Sequence, residues 1–265
     1  MSTDAGAEII KTEHVTKRFG ELVAVDRVDY VLHENEVAGI VGSNGAGKTT
    51  FFNLLTGYFP PDEGIILYRG KDITRASPQE RIAMGMMRTF QLTSTFDNLT
   101  VNDNLVLSFF RAHRNSSLLS LLLTTCKRYR SEERIAECLE IFELQDVRTR
   151  LVKHLSLGEK RRLEIGMAIL ADPRVLLLDE PLAGLGESEI KDVLGVLKKH
   201  VGKQTILIVE HKISKVEDFL ERLTVMHEGR IIADGSFAEC LRDPEVRRSY
   251  WQIDSSAGGA DPAST

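Results

Sequence analysis

The chain has 265 residues, 42% of them hydrophobic, with 34 Lys and Arg against 39 Asp and Glu and a net charge of −5. That length and apolar content suit one large domain, or a domain with a subdomain, around a full core. The negative balance gives no electrostatic reason to expect nucleic-acid binding, and apolar runs such as Leu118 to Leu123 fall well short of the roughly 18 to 20 residues of a membrane-spanning helix.

The opening MSTDAGAEII lacks a basic region ahead of an apolar segment, which predicts no secretory signal and a cytosolic chain. Cys126, Cys138 and Cys240 are odd in number and form no C-x-x-C pair, so they are expected to be fillers in a reducing compartment. The basic clusters Lys127 to Arg130 and Lys160 to Arg162 read as solvated faces, or as contacts to lipid headgroups or an acidic partner.

In chain order, VAGIVG (Val37 to Gly42) reads as a buried strand and TTFFNLLTG as a helix ending at Gly57. From about 92 to 160 strands vanish, and Ile135, Cys138, Leu139 and Phe142 mark an amphipathic helix after a Ser131 cap. VLLLD (Val175 to Asp179) and TILIVE (Thr205 to Glu210) are further buried strands. Ile190, Val193, Leu194 and Leu197 recur at helical spacing, as do Val216, Phe219, Leu220 and Leu223. This alternation predicts an α/β fold with a mainly parallel sheet and an inserted α-helical subdomain. The tail SSAGGADPAST is small and polar, a composition that predicts disorder.

GSNGAGKTT, Gly42 to Thr50, matches G-x-x-x-x-G-K-[ST] between a strand and a helix. Gly42, Ser43, Asn44, Gly45, Ala46 and Gly47 would curl backbone N–H groups around phosphate oxygens at a helix N-terminus. Lys48 would add a point charge, Thr49 a hydroxyl for Mg²⁺, and Thr50 the next position of the motif. Four specified positions match by chance in about 1% of chains this long, so a glycine-rich turn that binds nothing is disfavoured.

Asp179 and Glu180 close a buried strand, and in parallel sheets ligands gather at the carboxyl ends of strands. Asp179 would then hold Mg²⁺ and Glu180 would orient or deprotonate the attacking water; without the glycine-rich loop the pair would read as a plain loop start. His211 follows the next strand, where it could contact a γ-phosphate or be merely structural. Ser156-x-x-Glu159 is a capping box at a helix start, yet the same N–H groups could face a phosphate.

With GSNGAGKTT, Gln91, LSLGE, VLLLDEP and His211 in this order, residues 8 to 251 resemble the ATP-binding subunit of an ABC transporter. The resemblance implies a P-loop NTPase of RecA-like fold: a core of about 8–91 and 161–251 with a small antiparallel β part, a helical subdomain of about 92–160, and a tail from 252 to 265. It implies ATP and Mg²⁺ as cofactors. Phe19, otherwise readable as a core aromatic, would stack on adenine. Gln91 would sense Mg²⁺ and the membrane partner. Ser156 and Gly158, with Glu159 beside them, would reach the γ-phosphate of ATP held by a second ATPase subunit, identical or paralogous. Transmembrane permease subunits and, indirectly, a solute-binding protein are implied partners, and the place is the cytoplasmic face of the membrane.

Within that family, RTFQ, RRLEIGMAI, DEPLAGL and IIADGSFAECLRDPEVRRSYW are most similar to ATPases of branched-chain amino acid importers; urea and lipopolysaccharide transporters use close relatives. The chain departs from the usual LSGGQ at Leu157 and Glu159, and has Gly186 where Asp or Asn is common. Glu159 would repel ATP unless it folds back as the capping partner. An ABC ATPase acting on nucleic acid or ribosomes is disfavoured by charge and by the lack of a long heptad repeat, and a GTPase by the lack of an N-K-x-D stretch.

Overall fold

The computed structural model describes residues 6–89, 95–112, 124–199, 204–211 and 215–254. The chain divides into two compact units, residues 1–81 with 207–265 and residues 82–206.

In the first unit, β1 (Glu8–Phe19) turns back through Gly20, whose φ of 61° few side chains adopt, into β2 (Leu22–His33). On its other flank β1 pairs antiparallel with β4 (Glu63–Tyr68), and β5 (Lys71–Asp72) completes a four-stranded sheet ordered β2-β1-β4-β5. This is the expected small antiparallel part. Val25, Val28, Tyr30 and Leu32 of β2 are buried. β3 (Val37–Gly42) is buried along its whole length, the mark of a strand covered on both faces. It runs parallel to β9 (Arg222–His227), which pairs antiparallel with β10 (Arg230–Gly235). Val41, Leu223 and Val225 pack with Cys240 of α7 (Phe237–Arg242) and Val246 of α8 (Pro244–Asp254).

Helix α1 (Lys48–Leu55) follows β3 and buries Phe51, Phe52, Leu54 and Leu55. Gly57, at φ 76°, ends it as expected. The carbonyls left over at that end are taken by Arg81 of α2 (Pro78–Ala83), which is 1% exposed. Its Nη1 donates to the oxygens of Leu54 and Leu55, Nη2 to those of Ile73 and Thr74, and Nε to Ala76. A cation is thereby placed against the negative end of the α1 dipole, and burial pulls its pKa down to about 10.

In the second unit β6 (Met86–Arg88) runs parallel to β7 (Val175–Asp179), with Arg88 opposite Leu177. The described residues between 95 and 156 contain α3 (Val101–Ala112), α4 (Thr124–Ile141) and two short 3-10 turns, and no strand beyond the isolated bridge between Thr100 and Leu151. Asn104 is fully buried and clamps the loop before α3: its side chain accepts from the Phe96 N–H at 2.8 Å and donates to the Thr100 carbonyl at 2.8 Å. α5 (Leu157–Leu170) lies against α3, where Ser108 Oγ donates to the Met167 carbonyl at 2.7 Å, and against α6 (Glu187–Lys198). β8 (Thr205–Glu210) is buried throughout and contains the boundary between the units.

Three expectations are corrected. Helix α4 runs through Ser131 instead of starting there, because the apolar spacing of Ile135 to Phe142 marks only part of the helix and a serine is also tolerated inside one. The spacing of Val216 to Leu220 holds for one turn, after which Leu223 joins β9, a strand buried at Leu223, Thr224, Val225 and Met226 alike and so covered on both faces. Arg161 is buried against Glu164 at 2.8 Å, and Arg162 faces Glu143 at 3.3 Å, so this basic cluster is no solvated face. The side chains of Lys127 to Arg130, and residues 255–265 of the tail, lie outside what the structure describes.

Candidate functional site

In the first unit the glycine-rich loop is shaped by what surrounds it. Gly47 caps α1 at φ 96°, and a Cβ there would lie 2.3 Å from the Ala24 carbonyl. Gly42 has the same constraint, 2.4 Å from the Met226 carbonyl. The turn between β9 and β10 ties the loop down: the Gly229 N–H donates to the Ala46 carbonyl at 3.0 Å, while the Gly229 carbonyl accepts from the backbone N–H of Asp26 at 2.9 Å. Lys48 is 4% exposed and its Nζ donates to the carbonyls of Gly42 at 2.7 Å and Ser43 at 2.9 Å. The ammonium therefore lies inside the loop's curl. Asn44, Gly45 and Thr49 are exposed, and Ser43 and Thr50 are half-buried.

Phe19 is 49% exposed at the end of β1, packed edge-on to Phe59 at 5.6 Å. It is a presented ring, and the core-aromatic reading falls. His211 follows β8, half-buried, with its N–H donating to the carboxylate of buried Glu210 at 3.2 Å. Gln91 lies outside the described residues.

In the second unit Asp179 ends β7 and its Oδ2 is held by Nη2 of Arg88. Arg88 was not anticipated from the sequence. The signal was available: an arginine directly after the apolar Met86-Met87 of a strand must be paired to be buried. Glu180 has a φ of 46°, a conformation costly for a side chain of this type and one that collects at functional sites.

The capping box is present at the start of α5: Ser156 Oγ accepts from the Glu159 N–H at 3.1 Å, and Glu159 Oε2 accepts from the Ser156 N–H at 2.7 Å. Glu159 thus folds back on its own helix. A second unanticipated group is Glu189, whose Oε1 accepts from the Gly158 N–H and Oε2 from the Gly186 N–H, both at 3.0 Å.

Residues 25–183 match the model of the ABC transporter family. The chain belongs to that family. As an ABC ATPase it is similar to the high-affinity branched-chain amino acid transport ATP-binding proteins of Pseudomonas aeruginosa and of Escherichia coli. The first is 36% identical over 91% of this chain and 97% of the relative, the second 35% identical over the same shares. Among solved structures, the ADP conformation of an ATP-binding cassette of an ABC transporter superposes with a TM-score of 0.77 at 33% identity, covering 92% of this chain and 98% of that one. The P-loop α/β fold of this ABC ATPase, with its mostly parallel strands and small antiparallel sheet, is the fold of those cassettes. No helix among its described residues is long and apolar enough to cross a membrane.

Proposed function

We propose that the chain is the ATP-hydrolysing motor subunit of an importer for branched-chain or other hydrophobic amino acids, working at the cytoplasmic face of the membrane. The observation that carries this reading is the identity of 35 to 36% to branched-chain transport ATP-binding proteins over 97% of their length, which extends well beyond the nucleotide motifs. Its partners are a second ATPase subunit, transmembrane permease subunits and, through them, a solute-binding protein. The functional domain is taken as residues 8–251, with a helical part of about 92–160.

In this reading the loop from Gly42 to Thr50 wraps the phosphates of ATP and Lys48 turns its ammonium from the loop carbonyls to the β and γ oxygens. The exposed ring of Phe19 stacks on adenine, a contact typically worth about 1 to 3 kcal/mol. The donors for Mg²⁺ fit a hard cation: the Thr49 hydroxyl, one oxygen of Asp179 and, beyond the described residues, Gln91. Asp179 Oδ2 is engaged by Arg88. Bound there, Mg²⁺ would neutralise charge developing on the phosphates. Glu180 takes the proton of the attacking water, His211 donates to the γ-phosphate, and Ser156 with Gly158 approach that phosphate from the neighbouring subunit.

The test is reconstitution of the complex that copurifies with the chain into vesicles. ATP-dependent uptake of radiolabelled leucine, isoleucine or valine, with hydrolysis stimulated by the loaded binding protein, is the expected result. Hydrolysis that responds to another solute and not to these would overturn the assignment of substrate.

A further inference from the structure

Of the backbone N–H groups that open α5, those of Ser156, Gly158 and Glu159 go to side chains, the first and last within the capping box and the middle one outside it. The Glu159 N–H goes to the cap hydroxyl of Ser156, as any capping box provides. The Gly158 N–H instead goes to Glu189, a residue 31 positions later on the first turn of α6. The other oxygen of the same carboxylate takes the Gly186 N–H at 3.0 Å, so one carboxylate ties together two helix N-termini, each carrying positive partial charge. The fit at Gly158 is close. A Cβ at this position would lie 2.6 Å from Glu189 Oε1. The loop between Glu180 and α6 is drawn against the same turn, since a Cβ on Gly184 would lie 3.0 Å from Leu157 Cδ2.

We propose that Glu189 is a positioning residue for the shared phosphate site: it holds the Gly158 N–H ready and releases it when a γ-phosphate arrives, and so sets the ATP concentration at which the two subunits close. This rests on the reading of Ser156 and Gly158 as contacts to the neighbour's nucleotide. The N–H of Gly158 has one hydrogen to give, and Glu189 Oε1 sits where a phosphate oxygen would accept it. The carboxylate and the phosphate are both anions, so they cannot share that donor without repulsion, and Glu189 must swing aside. Gly186 brings no side chain to this spot, and the carboxylate three residues further on links the turn that serves the neighbour's ATP to the loop that follows this chain's own Glu180.

The experiment compares Glu189→Gln with Glu187→Gln in the complex as it purifies from its host. Glu187 is exposed on the same first turn of α6 and carries the same charge, so it reports any general effect of net charge. Glu189→Gln keeps the shape and an accepting oxygen but removes the repulsion. The ATP concentration at half-maximal turnover is expected to fall about 3- to 10-fold, the size of a like-charge term about 4 Å away in largely aqueous surroundings, with kcat within about 2-fold. Glu187→Gln should leave both values unchanged. Amide exchange at Gly158 without nucleotide, faster in Glu189→Ala than in the parent, reads the contact itself. Half-saturation that does not fall in Glu189→Gln, or that falls equally in Glu187→Gln, overturns the proposal. Ser156→Arg separates the two levels: if it retains turnover the shared-site reading fails, whereas a dead Ser156→Arg beside an unshifted Glu189→Gln sinks the role of Glu189 alone.

Discussion

Arg88 and Asp179 are joined through Nη2 and Oδ2 at the ends of two neighbouring parallel strands, so the carboxylate assigned to the metal is held by a guanidinium that is itself only 9% exposed. Removing the guanidinium from such a buried pair strips the Asp179 carboxylate of its charged partner, at a cost of about 3 to 5 kcal/mol. Arg88→Met is therefore expected to lower the midpoint of urea unfolding by that amount, and Arg88→Lys to recover only part of it, because an ammonium does not reproduce the planar fork. In a double-mutant cycle with Asp179→Asn the two losses should be markedly non-additive. Additive losses would mean that the pair does not contribute as a pair.

The two described cysteines give the chain a pH dependence on the alkaline side. Burial is the main cause that pushes the Cys138 thiol up to about 12 and the Cys240 thiol up to about 11. A thiol whose folded pKa is raised favours the folded state below the unfolded value and loses that contribution as pH rises toward the folded one. Between about pH 9 and 11 the unfolded chain releases protons that the folded chain keeps, and stability should fall by up to about 1.4 kcal/mol per pH unit for each thiol. The Cys138→Ala, Cys240→Ala double variant should show a flatter loss over that window in chemical denaturation. A slope equal to the parent's would assign the alkaline loss to other groups.

How far the sequence could be read depended on whether a signal was local. VAGIVG, VLLLD and TILIVE became β3, β7 and β8 with the expected ends, since an unbroken apolar run bounded by glycine or acid has few other solutions. Ser156 and Glu159 were legible as a capping box because the pattern closes within four residues. Glu189 was not, because its partner is 31 residues away and nothing in the spacing points there. Arg81 escaped notice for the same reason: its acceptors at Leu54 and Leu55 are distant in the chain. The left-handed backbone of Glu180 has no side-chain signature at all.

In the proposed function Glu180 is the general base. Glu180→Gln should retain ATP binding and slow hydrolysis by roughly 10² to 10⁴-fold, the usual contribution of a general base. Gel filtration with ATP should then show an accumulated dimer, because closure persists when the bond is not broken. Near-normal turnover in the purified variant would remove Glu180 from the mechanism. Glu180→Gly tests the conformation separately. Glycine adopts positive φ without strain, so it should be at least as stable as Glu180→Ala while being equally inactive.

The capping box at Ser156 leaves one question for a mixing experiment, since a hydroxyl that caps its own helix can still face a neighbour's phosphate. If capping is all it does, Ser156→Ala costs about 1 kcal/mol of stability and Ser156→Arg reduces turnover only through folding. If the turn completes a site on the second subunit, Ser156→Arg abolishes turnover by placing a long side chain in the composite site. Lys48→Ala abolishes it independently, because the ammonium beside the loop carbonyls is lost. A dimer of one Lys48→Ala chain and one Ser156→Arg chain then contains one site with both defects and one with neither. Mixing two inactive preparations should restore ADP formation. The mixture is made with the chain alone if Glu180→Gln dimerises with ATP, and otherwise with the natural second ATPase carrying the matching substitution. Product is counted per dimer by rapid quench, so that a single turnover at the intact site is registered. Mixed dimers that form and yield no ADP above either parent would confine Ser156 to its own helix.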